Sequence, residues 1–129
     1  MIKFLDIYKQ DKILHKSILQ SIKKLFENGD FILGKEVDKF EINFAKFCGS
    51  KYAISCGNGT DALTISLKAL NLPNNSEVII PAMTYCSTAF AVLNANLKPV
   101  LVDTEYLTPT INIKDLKKRI TKRTRVILP

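Results

Sequence analysis

Ile13, Leu14, Ile18, Leu19, Ile22, Leu25 and Phe26 recur at three- and four-residue steps, with polar residues between them. That spacing lays one apolar face along a helix and predicts a helix from about Lys9 to Asn28. Asn28-Gly29-Asp30 ends it with turn chemistry. A second stripe, Val37, Phe40, Phe44 and Phe47, begins just after Gly34. Cys48-Gly49-Ser50 stops it, and Gly49 suits the left-handed position beyond a helix C-terminus.

From residue 51 the pattern shortens. Tyr52-Ala53-Ile54-Ser55-Cys56 is a brief apolar run and predicts a buried strand. Gly57-Asn58-Gly59-Thr60 turns it into a helix from Asp61 to about Asn71, with Ala62, Leu63, Ser66, Leu67 and Leu70 inward. Glu77-Val78-Ile79-Ile80 predicts a strand closed by Pro81, and Thr84 to Asn94 a helix. Pro99 to Val102 predicts a third strand ending at Asp103, Ile113 to Ile120 a short helix, and Arg125 to Leu128 a last strand. The order is β-α-β-α-β-α-β after two N-terminal helices, which argues for an α/β fold with a mainly parallel sheet. The expected division is a helical segment over residues 1–50 and an α/β domain over residues 51–129.

Composition excludes several classes. The chain has 129 residues, 47% hydrophobic and 24% charged, which is globular and not disordered. Its apolar runs fall short of the roughly 20 residues that span a bilayer, and its first thirty residues carry regular charges rather than a signal peptide. A cytoplasmic protein without a membrane partner is expected. The net charge of +7 first suggests nucleic acid. Seven bases and one acid over residues 112–129 supply +6 of it, however. With no aromatic residue beyond Tyr106 to stack on bases, that stretch reads as a solvated face, and no nucleic-acid partner is expected. Cys48, Cys56 and Cys86 form no CxxC pair, and His15 is the single histidine, so no metal site is expected. The three thiols are read as reduced and mostly buried.

Ligands of open α/β sheets bind at the carboxyl ends of strands. Gly57–Asp61, Pro81–Thr88 and Asp103 all fall there. A strand entering Gly-Asn-Gly-Thr and then a helix offers free N–H groups, a partial positive charge and the Thr60 hydroxyl to a phosphate. The same residues also fit a plain strand–helix turn capped by Thr60. Gly57-x-Gly59-x-x-Ala62 loosely matches a dinucleotide fingerprint. That reading needs an acid at the carboxyl end of the next strand, whereas Glu77 stands at its start. Tyr85 begins the following helix; it fits either a half-buried amphipathic residue or a flat ring beside a phosphate site, as a phosphorylated aromatic cofactor requires.

Phe31-Ile32-Leu33-Gly34, Phe40-Glu41, Phe44-Ala45 and Cys48-Gly49 come first, followed in order by Gly57-Asn58-Gly59-Thr60-Asp61-Ala62-Leu63. Glu77 to Pro81, Thr84-Tyr85, Thr88-Ala89, Pro99 to Asp103 and Ile120-Thr121 with Thr124-Arg125 complete the series. This series resembles the nucleotide-sugar aminotransferases of the DegT/DnrJ/StrS type, pyridoxal-phosphate enzymes of aminotransferase fold type I. The resemblance covers nearly the whole chain. It implies that Gly59, Thr60 and Asp61 meet the cofactor phosphate, chiefly through N–H groups and the Thr60 hydroxyl, with the Asp61 carboxylate turned away. It implies that Tyr85 stacks on the pyridine and that Asp103 supports the site from behind. The loop at Asn28–Gly34 lies near the active site in relatives, and sites form at a homodimer interface.

The reaction implied moves an amino group from an amino acid, usually glutamate, to a nucleotide-linked keto sugar in amino-sugar and cell-surface polysaccharide synthesis. The Gly-Thr-Asp-Ala-Leu form of the turn resembles members acting on 3-keto sugars. In relatives the Schiff-base lysine, the acid facing the pyridine nitrogen and the small domain come later than residue 129. The chain therefore reads as the first third of an enzyme, an incomplete large domain inactive by itself, with no catalytic residue of its own. The dehydratase branch, in which histidine replaces that lysine, stays open alongside the aminotransferase, with a nicotinamide-binding oxidoreductase domain behind both.

Overall fold

The computed structural model describes residues 4–10 and 12–129. Two compact units divide at Ser55: Met1–Ser55 and Cys56–Pro129.

The first unit is helical. Helix α1 is Ile7–Gln10 and α2 is Lys12–Asn28; Asp11, inside the single predicted helix, lies outside the described residues. Helix α3 is Lys35–Cys48. It ends as its sequence predicts: Gly49 takes φ 66°, and the Gly49 and Ser50 N–H groups donate to the Lys46 and Ala45 carbonyls. The apolar stripes do form helix faces, yet α2 buries no residue and α3 buries only Ala45.

The predicted strand Tyr52–Cys56 does not form. Those residues run without ladder pairing, and Ile54 is 86% exposed. An apolar run becomes a strand only where a neighbour accepts its N–H groups, and no described strand lies beside this one. A side chain holds it instead: the Glu41 Oε1 of α3 accepts the Ser55 N–H at 2.7 Å and its hydroxyl at 2.6 Å.

The second unit carries the sheet. Its elements are α4 (Gly59–Ala69), β1 (Glu77–Pro81), α5 (Cys86–Asn94), β2 (Lys98–Val102), α6 (Ile113–Arg119) and β3 (Thr124–Ile127). The order is β2-β1-β3, with both pairings parallel. Ile79 aligns with Val100 on one side and Ile127 on the other, and the β1–β3 register shifts between Glu77 and Val78.

Burial follows the alternation of β1. Val78, Ile79 and Ile80 are all fully buried, as a central parallel strand covered on both faces requires. Val78 and Ile80 join Leu67 of α4, Val92 of α5 and Leu97 in one core. Ile79 joins Val102 and Leu116 of α6 in another. Helices α4 and α5 thus cover one face and α6 the other. Leu67 is buried as predicted, but Ala62, Ser66 and Leu70 of the same inward set are exposed.

Candidate functional site at the strand carboxyl ends

Connectivity places the site. Helix α4 reaches the amino end of β1 through residues 70–76, so its own N-terminus lies at the carboxyl end of that strand. Helix α5 starts five residues after β1 ends. Both helices therefore begin at the same edge of the sheet and lie on the same face.

The mouth of α4 is built by Asn58, not by Thr60 as the cap reading had it. Asn58 takes an extended backbone, φ −167°, and its Oδ1 accepts the Asp61 N–H at 2.9 Å. Its Nδ2 donates to Asp61 Oδ2, also at 2.9 Å. The pattern Asn-x-x-Asp at a helix start is a capping signature that the sequence displays. The consequence for an anion is specific. The Asp61 N–H is committed to Asn58. The N–H groups of Gly59 and Thr60, in the first turn, have no acceptor within the helix. These two donors and the Thr60 hydroxyl can meet a phosphate, aided by the positive end of the helix.

The two glycines do different work. A Cβ on Gly59 would meet nothing within 4 Å, so the space beside the free N–H groups is open. A Cβ on Gly57 would stand 3.1 Å from Asp61 Oδ2. The bare side of Gly57 is occupied by a carboxylate of the chain itself, not left for a ligand.

Tyr85 is the residue before α5, in the N-cap position with φ −66° and ψ 140°, and its side chain caps nothing. It is 79% exposed, so the half-buried reading fails and the ring is free to cover a flat ligand. Behind it, Thr84 and Thr88 share a hydroxyl–hydroxyl bond of 2.9 Å.

Asp103 lies at the carboxyl end of β2, and its bonds are structural. Its Oδ1 accepts the Thr104 N–H at 2.9 Å, and its own N–H donates to Asp115 Oδ2 at 3.0 Å. That N–H, together with the Arg119 guanidinium 3.2 Å away, holds the Asp115 carboxyl below its usual range, against the cost of partial burial. Asn112 caps Asp115 as Asn58 caps Asp61, at 3.0 Å.

Glu77 answers the dinucleotide reading. It is 3% exposed at the amino end of β1, far along the strand from where a ribose acid belongs. Thr121 and Arg123 bond its carboxylate, and Lys98 stands 3.6 Å away. Sequence reasoning had no pattern for that cluster, because its partners come from two later elements. The three thiols also depart from expectation: Cys48, Cys56 and Cys86 are all exposed. Cys56 lies just before the turn into α4, and Cys86 is the first residue of α5.

Residues 12–129 match the DegT/DnrJ/EryC1/StrS aminotransferase family. The chain belongs to this family. It is 39% identical over 128 residues to the dTDP-3-amino-3,6-dideoxy-alpha-D-galactopyranose transaminase of Aneurinibacillus thermoaerophilus, covering 99% of this chain and 35% of that protein. It is 41% identical over 129 residues to the UDP-2-acetamido-2-deoxy-3-oxo-D-glucuronate aminotransferase of Pseudomonas aeruginosa, covering 100% and 36%. The solved structure of S. venezuelae DesV in complex with a ketimine intermediate superposes with a TM-score of 0.93 at 33% identity, covering 99% of this chain and 34% of that one. The chain thus spans about a third of the length of these relatives. Members of the family depend on pyridoxal phosphate.

The residues present suit such a group. An open helix mouth with two uncommitted N–H groups matches a phosphate monoester, and an exposed ring at the adjoining helix start matches a planar pyridine.

Proposed function

We propose that this chain is the cofactor-phosphate-binding part of a pyridoxal-phosphate-dependent nucleotide-sugar aminotransferase. The family match across residues 12–129 carries the reading. Gly59 and Thr60 hold the phosphate by their N–H groups and the Thr60 hydroxyl. Asp61 acts by its place in the turn, its N–H being taken by Asn58. Tyr85 lies over the ring. When bound, the cofactor supplies the carbonyl group that takes an amino group from the donor and passes it on.

The whole protein moves an amino group, from glutamate, to carbon 3 of a keto sugar linked to a nucleotide. The sugars in the names of both relatives given above carry a 3-amino or a 3-oxo group, which favours position 3 over others. Amino-sugar and surface-polysaccharide synthesis is the setting proposed, in the cytoplasm. Among the described residues no helix is long and apolar enough to cross a membrane. A homodimer is proposed as the working form; the exposed apolar faces of α2 and α3 supply surface for it.

The test is an assay of the whole protein with pyridoxal phosphate, glutamate and a dTDP- or UDP-linked 3-keto sugar. The reading predicts one 2-oxoglutarate released per amino sugar formed. Loss of a sugar hydroxyl with no amino sugar formed would instead place the protein on the dehydratase side of the family.

A further inference from the structure

We propose that Asn58 is a positioning residue that stows the Asp61 carboxylate on the Gly57 side of the turn, so that an internal anion does not compete for the Gly59 and Thr60 N–H groups. The proposal rests on the cofactor-phosphate reading above and deepens it.

A carboxylate in the first turn of a helix is attracted to the same positive end as a phosphate. In the usual capping box the acid at that position reaches back toward the cap. Asp61 is such an acid, one turn-position beyond the two free donors. Its carboxylate is held elsewhere. Asn58 grips it at two points, accepting the Asp61 N–H through Oδ1 and donating to Oδ2 through Nδ2, each at 2.9 Å. Gly57 makes room, since even a methyl group there would crowd Oδ2 at 3.1 Å.

Helix α6 provides the comparison within the same unit. It opens with the same Asn-x-x-Asp spacing, and Asn112 Oδ1 accepts the Asp115 N–H at 3.0 Å. There the acid is fixed by the Asp103 N–H and by Arg119. Asp61 has no cation beside it among the described residues, and the Asn58 amide is the donor its carboxylate has. Without that amide, no donor among the described residues restrains the charge. One unit charge about 4 Å from another costs about 1 kcal/mol in water, close to a fivefold change in affinity.

The experiment titrates inorganic phosphate into the full chain and follows the amide resonances of Gly59 and Thr60. Four proteins are compared: the parent, Asn58→Ala, Asp61→Asn, and the double variant. The amide resonances of Glu77 and Val78, at the amino end of β1 and so at the opposite edge of the sheet from the turn, report that each is folded. The proposal predicts that Asn58→Ala weakens phosphate binding about fivefold or more, in a salt-sensitive way. It predicts that Asp61→Asn binds at least as well as the parent, and that the double variant recovers the affinity of Asp61→Asn, because no charge remains to stow. If Asn58 serves only to cap α4, the double variant stays as weak as Asn58→Ala, which overturns the proposal. Unchanged binding in Asn58→Ala overturns it too while leaving the phosphate site standing. No response from the parent overturns the phosphate reading itself, and the clamp with it.

Discussion

Arg123 reaches back 46 residues along the chain to place its Nη2 2.8 Å from Glu77 Oε1. The bond ties the turn before β3 to the first residue of β1, and Thr121 from the same turn donates its hydroxyl to the other carboxylate oxygen. The Glu77 N–H donates to the Arg123 carbonyl, so side chain and backbone fix the same junction. The Thr121 hydroxyl, and then the charges of Arg123 and Lys98, hold the Glu77 carboxyl below its ordinary value of 4.5 despite burial.

A carboxyl lowered on folding stabilises the fold above its unfolded value and loses that contribution as pH falls through the folded value. Urea unfolding followed from pH 7 downward should show a stable plateau and then a falling midpoint below about 4.5. Glu77→Gln should lower the plateau and flatten the fall. Glu41 and Asp115 are shifted the same way, so part of the acid slope persists in that variant.

The second prediction concerns residues 52–55. Ser55 donates twice to Glu41, and among the described residues no strand pairs with the segment. Glu41→Ala should speed hydrogen exchange at the Ser55 amide while leaving the β1 amides protected. Equal protection at Ser55 in both proteins would mean that something other than Glu41 holds the segment.

Gly59→Ala separates stability from binding. A Cβ there meets nothing, and alanine is the better helix former by about 1 kcal/mol. The variant should melt no lower than the parent, yet its methyl group borders the two free N–H groups and should weaken phosphate binding. Calorimetry and a phosphate titration on the same sample check both halves.

Tyr85→Ala should leave stability within about 0.5 kcal/mol of the parent, since the ring is exposed. It should weaken pyridoxamine phosphate binding, whereas Tyr85→Phe should keep it, because stacking uses the ring and not the hydroxyl. An effect as large in Tyr85→Phe would move the role to the hydroxyl.

Much of this was legible in the chain. Helices α2 to α6 and strands β1 to β3 overlap the stretches that periodicity and turn residues mark, and Gly49 ends α3 in the left-handed conformation its position predicts. Local rules sufficed there because caps and amphipathic faces are local. Tyr52–Cys56 was misread because strand formation depends on a neighbour, which composition cannot supply. The Glu77 cluster was invisible because the two residues that bond its carboxylate, Thr121 and Arg123, are 44 and 46 residues away in sequence. The place of the glycine turn at the start of α4 and of Tyr85 just before α5 was legible too. What was missed is the division of labour within the turn, in which Asn58 caps and Gly57 shelters a carboxylate. The Asn-x-x-Asp spacing was there to be read.

If the mouth of α4 holds a cofactor by its phosphate, the phosphate must decide the binding. The chain is titrated with pyridoxamine phosphate and, separately, with pyridoxamine, neither of which can condense with surface lysines. Saturable binding of the phosphorylated compound, reduced by Thr60→Ala, is expected, with little binding of the other. Equal binding of the two compounds, or no loss in Thr60→Ala, would contradict it.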